Sequence, residues 1–142
     1  MSVKAFFDTN IIVYTQRTDA PDKTRIAESA LAHFDAVVST QVLNELCNIF
    51  TKKYPKPLAD MEQLLDSIAD TLPVVTITPP LVRHALRLHH RYSISYFDAL
   101  MAAAAIHAGC TYLFSEDMQD GLIIEGTLTI VNILTHIDLL QI

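Results

Sequence analysis

Four carboxylates, Asp8, Glu45, Asp98 and Asp117, are the residues of this sequence best suited to chemistry, although they lie far apart along the chain. Acids gathered without basic partners repel one another, and the common reason to accept that cost is a divalent cation. Hard cations such as Mg²⁺ take oxygen ligands and are held by a few carboxylates together with water and phosphate. Such ions activate water and stabilise the leaving oxygen of an in-line displacement. Four acids at one place therefore point to phosphodiester hydrolysis. The task for the sequence is to say whether its elements bring them together.

The hydrophobic pattern alternates between strands and helices. Residues 3–7 form a short apolar run ending at Asp8-Thr9-Asn10, which reads as a buried strand turning into a helix over residues 11–16. Pro21 opens a helix through Phe34, residues 36–39 form a second strand, and Thr40 is the expected N-cap of a helix over residues 41–53. Tyr54-Pro55-Lys56-Pro57 interrupts it, and a further helix reaches Thr71. Residues 73–77 are a third strand, and Thr78-Pro79-Pro80 starts a helix to Tyr92. Ser95 caps a helix from Tyr96 to Ala108 that Gly109 ends. Residues 111–114 are a fourth strand, residues 115–121 an acidic turn, and residues 128–131 a fifth strand before a short tail helix. Continuously apolar strands alternating with helices predict a single domain over residues 1–142. Its expected class is α/β, a three-layer α/β/α sandwich around a central five-stranded parallel sheet.

In such sheets the functional crevice lies at the carboxyl ends of the strands. Asp8 directly follows the first strand and Asp117 the fourth. Glu45 lies about one turn into the helix after the second strand. Asp98 lies in the first turn of the helix that descends to the fourth strand. Each acid also has a local explanation: Asp8 and Asp98 as helix-start residues, Glu45 on a solvated helix face, Asp117 and Asp120 in a polar turn. Those explanations do not anticipate that all four placements agree on one edge.

Bulk properties are permissive. The 142 residues carry a net charge of −6, which argues against a nucleic-acid ligand, but four of those negative charges belong to the candidate site. Cys47 and Cys110 read as buried free thiols in a reducing compartment, and the short apolar start lacks the form of a signal peptide, so a cytoplasmic location is expected. No apolar stretch approaches the ~20 residues that span a bilayer. Zinc-type Cys/His spacing, a phosphate-binding glycine loop and a serine nucleophile elbow are all missing.

The segments around the acids resemble a PIN domain, and among PIN domains the VapC-like toxins of prokaryotic toxin–antitoxin pairs. The resemblance is carried by Phe7-Asp8-Thr9-Asn10-Ile11, by residues 39–45, by residues 94–100 with the alanine-rich run behind them, and by residues 113–121. These occur in the family's order and span nearly the whole chain. The resemblance implies a metal-dependent ribonuclease that uses Mg²⁺, or Mn²⁺, held by Asp8, Glu45, Asp98 and Asp117. Thr9 and Asn10 would support those acids, and Ser115 would orient the last acid or a water. Asp120 would be a fifth acid, acting through a water or in place of Asp117. The implied reaction is attack of water on an RNA phosphodiester that leaves a 5′-phosphate, with no protein nucleophile. One departure is that relatives often follow the last strand with Asn-Pro-Phe, where this chain has Asn132-Ile133-Leu134, which bears on the packing of the tail.

The resemblance also implies partners: an RNA such as a tRNA or ribosomal RNA loop, a homodimeric copy, and an antitoxin. The antitoxin would insert a C-terminal segment into a groove, often with a basic side chain at the acids. The apolar helices over residues 22–34 and 41–70 are candidates for that groove. Two basic clusters could track RNA phosphates, Arg83, Arg87 and Arg91 on one helical face, and Lys52, Lys53 and Lys56 at another helix end. The alternatives are a PIN-domain nuclease of RNA processing outside toxin systems, or a non-catalytic Mg²⁺-binding α/β module. A receiver-type module is disfavoured by Ile77-Thr78-Pro79 and Asn132-Ile133 where its Asp and Lys should stand. A haloacid-dehalogenase-like phosphatase is disfavoured by Asp8-Thr9-Asn10, which lacks the second acid.

Overall fold

The computed structural model describes residues 2–140. Strand β1 (Lys4–Phe7) leads into helix α1 (Thr9–Tyr14) and, after a turn, α2 (Pro21–His33). Next come β2 (Asp35–Ser39), α3 (Thr40–Lys52), α4 (Leu58–Thr71) and the two-residue β3 (Val74–Val75). Helices α5 (Pro79–Tyr92) and α6 (Tyr96–His107) precede β4 (Tyr112–Phe114), β5 (Ile123–Ile124) and β6 (Leu128–Val131), and two short 3₁₀ turns close the described chain.

The strands form one sheet in the order β3-β2-β1-β4-β6-β5. The five expected strands are present and pair in parallel. The sixth, β5, pairs antiparallel with β6 at the edge. It lies in a segment the sequence leaves without an element, because two residues are too few to show alternation. Its hairpin is closed by Glu125 and Gly126, both at positive φ, the signature of a primed turn. Strand order grows outward from β1 through β2 to β3, then returns to β4 on the other side of β1. Right-handed crossovers place α1–α4 on one face and the returning helices on the other. The reversal makes the gap between β1 and β4 the topological switch point.

Residues 99–105 of α6 are all buried, which explains their composition: Ala99, Ala102, Ala103, Ala104 and Ala105 let the helix lie close to the sheet while α5 packs outside it. On the opposite face Phe34 meets Phe114 edge-on at 4.9 Å, and Phe114 meets Phe7 at 5.2 Å. Cys47 and Cys110 are both free thiols; Cys110 is buried as expected, whereas Cys47 is only half-buried, and burial pushes the Cys110 thiol up to about 12. Among the described residues no helix is long and apolar enough to cross a membrane.

One cap differs from expectation. Ser39, in extended backbone, is the N-cap of α3 and accepts from the Val42 amide at 3.4 Å. The Thr40 hydroxyl instead accepts from the Ile77 amide at 3.1 Å, tying the start of α3 to the segment after β3. A long-range donor thus takes the group that local pattern assigns to the helix start.

Phe114 is fully buried among three aromatic rings. Phe114→Ala should lower unfolding stability by ~3–5 kcal/mol, read as a lower urea midpoint at unchanged slope.

Candidate active site

Asp8 is the first residue beyond β1. Its amide donates to the Phe114 carbonyl at 3.0 Å, continuing the β1–β4 pairing. Its side chain caps α1, with Oδ1 accepting from the Thr9 amide at 2.7 Å and Oδ2 from the Ser115 hydroxyl at 2.8 Å. Ser115 is fully buried after β4, and its oxygen also accepts from the Asp117 and Met118 amides at 3.3 and 3.2 Å. Ser115 therefore orients Asp8, and it reaches Asp117 only through that residue's backbone.

The Thr9 hydroxyl donates to Glu45 Oε1, and Gln41, one turn earlier on α3, donates to Oε2 at 3.1 Å. The Asn10 side-chain Nδ2 donates to Asp117 Oδ2 at 2.6 Å. Ser95 caps α6 by accepting from the Asp98 amide at 3.2 Å, which sets Asp98 in the first turn. Asp8, Glu45, Asp98 and Asp117 line a single cleft at the β1–β4 switch point, together with Thr9, Asn10, Asn48 and Ile49. Asn48 escaped the sequence reading, and Ile49, an inward position by pattern, was not recognised as lining the cleft. Their signal is spacing, since they follow Glu45 by three and four residues and so share its helix face.

The other acids of the turn after β4 point elsewhere. Glu116 accepts from the Tyr14 hydroxyl at 2.7 Å and from Lys23 at 2.9 Å. Asp120 accepts from the Asn132 amide at 2.8 Å and pairs with His136 at 2.7 Å, and it is not among the residues lining the acid cleft. Asn132 also caps the tail, where the sequence departs from the family's Asn-Pro-Phe. Arg83, Arg87 and Arg91 are exposed on α5 and line shallow surfaces that share no residue with the acid cleft.

The cleft is electrostatically unbalanced. Asp8 is 8% exposed, and burial, reinforced by Glu45 and Asp98, raises its carboxyl to about 6 against the pull of Ser115 and Thr9. Burial also raises Asp98, opposed by Ser95 and reinforced by Asp117 and Glu45. No Lys, Arg or His lines the cleft to relieve this. Among the described residues no three His, Cys, Asp or Glu side chains are gathered closely enough to hold a metal ion as they stand. An all-oxygen lining still suits Mg²⁺, which keeps several waters and is held through one or two carboxylates plus substrate phosphate.

A family model for the PIN domain matches residues 5–119. The chain belongs to the PIN domain family. No curated relative matches the sequence. Solved structures share the fold. A chain of a toxin–antitoxin complex from Klebsiella pneumoniae superposes with a TM-score of 0.68 at 21% identity, covering 91% of this chain and 97% of that one. VapC20 of Mycobacterium tuberculosis, described as a sarcin-ricin loop cleaving toxin, gives 0.65 at 20% identity, with coverage of 80% and 91%. A chain of VapBC2 from Rickettsia felis, bound to promoter DNA, gives 0.60 at 20% identity, with coverage of 81% and 89%.

The raised Asp8 carboxyl fixes the sign of a pH effect in this PIN domain. A folded-state pKa above the unfolded value means stability that is full below about pH 4 and lost as pH rises through about 6. Asp8→Asn should therefore remove the loss of stability, up to ~3 kcal/mol, that the metal-free protein suffers between those pH values. Chemical denaturation in EDTA across that range reads it. A wild-type stability that falls no more steeply than that of Asp8→Asn between about pH 4 and about pH 6 would contradict the raised carboxyl.

Proposed function

We propose that this PIN domain is a metal-dependent endoribonuclease and the toxin of a VapBC-type toxin–antitoxin pair. The carrying observation is the cleft itself, in which carboxylates from four separate segments meet at the switch point with no cationic side chain among them. Divalent cations bound there supply positive charge against a phosphate and lower the pKa of water. The ion is Mg²⁺, with Mn²⁺ able to replace it.

The protein's own groups hold the acids in place. Asp8 is fixed at both oxygens, Glu45 is held between Thr9 and Gln41, and Asp117 is held by Asn10. Asp98 faces them from the other side of the sheet. No serine or cysteine lines the cleft, and the Thr9 hydroxyl is committed to Glu45, which supports water as the nucleophile. Water attacking in line expels the 3′-oxygen and leaves a 5′-phosphate. The solved neighbours that are toxin–antitoxin assemblies support an antitoxin as the physiological partner. Exposed Val82 and Leu86 on α5 and Phe97 at the start of α6 support a homodimer through that surface.

Asp8→Asn should reduce Mg²⁺-dependent RNA cleavage by more than ~100-fold, beyond the ~10- to 100-fold expected for Asn10→Ala, which removes a supporting group. EDTA should abolish cleavage, and Mg²⁺ or Mn²⁺ should restore it. Retained cleavage in a folded Asp8→Asn protein would sink the assignment. Expression should arrest growth, the Asp8→Asn form should not, and sequencing the 5′ ends of cleaved RNA would name the substrate. Leu86→Glu should convert a dimer to a monomer by light scattering if the α5 surface is the interface.

A further inference from the structure

The acid cleft does not end at the acids. Asn10, Ile49 and Asp117 also line an adjoining cleft with Val13, Tyr14 and Arg17. That cleft in turn shares Arg17, Lys53 and Tyr54 with a third, which reaches Lys56. The three share lining residues in series, and along this path unpaired carboxylates give way to cations and aromatic rings, the acids of the later clefts, Glu116 and Asp19, being paired with Lys23 and Arg17. From Glu45 to Lys53 the path follows α3 for about eight residues, or ~12 Å.

The far end is rigid. The Tyr54 amide donates to the Ile49 carbonyl at 3.0 Å and the Lys56 amide to the Phe50 carbonyl at 2.9 Å, so the Tyr54-Pro55-Lys56-Pro57 segment folds back onto α3. Arg17 is held by both oxygens of Asp19, at 2.8 and 2.9 Å. Its guanidinium lies 5.1 Å from the Tyr14 ring centre and 5.3 Å from that of Tyr54, bracing both rings. Lys53 and Lys56 have no carboxylate within ion-pair distance among the described residues, and their ammonium groups sit over the Tyr54 and Phe50 rings. A half-buried ring beside cations that no carboxylate neutralises suits a single nucleic-acid strand: an unpaired base stacks on Tyr54 in place of the flexible Lys53 ammonium, which moves to a phosphate.

We propose that Tyr54, Lys53 and Lys56, braced by Arg17 and Tyr14, form a subsite for single-stranded RNA that continues from the acid cleft, with a base stacked on Tyr54 and the lysines on backbone phosphates. The subsite rests on the nuclease reading for the identity of the strand, and it assigns the substrate class of that reading as unpaired RNA at this end of the path.

The test is binding without cleavage: fluorescence anisotropy of a single-stranded 2′-O-methyl RNA oligonucleotide in EDTA. Tyr54→Ala should weaken binding by about 5- to 100-fold, and Tyr54→Phe, which keeps the ring, should stay within about twofold of wild type. Lys53→Gln with Lys56→Gln should reduce the salt slope by about 1.4, the loss of two phosphate contacts. Should Tyr54→Ala misfold by circular dichroism, the lysine pair carries the test. Wild-type affinity in Tyr54→Ala, an equal loss in Tyr54→Phe, or an unchanged salt slope in the lysine pair would overturn the proposal and leave the slot to a peptide. The two readings fail separately. Tyr54-dependent binding by a protein that cleaves no RNA with Mg²⁺ removes the nuclease and upholds the subsite, whereas cleavage with Tyr54-independent binding does the reverse.

Discussion

The position of Asp8 constrains most of what surrounds it. A carboxylate at the end of the central strand cannot escape to water, because β2 and β4 flank it and helices cover both faces. It is tolerated because each oxygen has a donor. The Thr9 amide comes free with the start of α1, and the Ser115 hydroxyl is delivered by the neighbouring strand. These bonds do not offset the loss of water, so the carboxyl stays high at about 6. The residual tension is electrostatic, and more positive charge in the cleft would relieve it. The site thus carries its acids at a cost in stability, and under the proposed function a divalent cation would offset that cost.

Delivery of Asp98 depends on the alanines behind it. Because residues 99–105 are buried on every side, α6 must fit between the sheet and α5, and larger side chains would push its first turn away from the strand ends. The same economy of volume explains why so little of this helix shows an amphipathic pattern. It is an interior helix, and its only polar group near the cleft is the one its capping serine positions.

Charge is sorted across the surface by short-range pairing. Glu116 is drawn to Tyr14 and Lys23, Asp120 to His136, and Arg17 to Asp19, which leaves Asp117 as the acid of its turn that lines the cleft. Lys53 and Lys56, on the flank, lie over aromatic rings with no carboxylate partner among the described residues. The protein's net negative charge therefore conceals a local polarity, acidic where a cation would sit and basic where a strand would leave.

While the strand order came from the structure, the sequence by itself determined the class of fold, the parallel sense of five strands and the edge at which the acids gather. These follow from hydrophobic period and from chain direction, both local properties that survive without contacts. That Asp8, Glu45, Asp98 and Asp117 share one cleft was legible because Asp8, Asp98 and Asp117 sit at or near element boundaries and Glu45 lies within the first turns of α3. Tertiary structure alone decided what depends on residues distant in sequence meeting. It gave the Ser115 hydroxyl to Asp8, replaced Thr40 with Ser39 as the α3 cap, sent Asp120 to His136, and added β5 by pairing two residues back onto β6. It also joined the acid cleft to Tyr54 and Lys53, which the chain separates from Asp8 by more than a whole crossover. Hydrogen-bond partners and cleft continuity are set by which side chains the packed elements bring within a few ångströms, and no periodicity in a sequence encodes that.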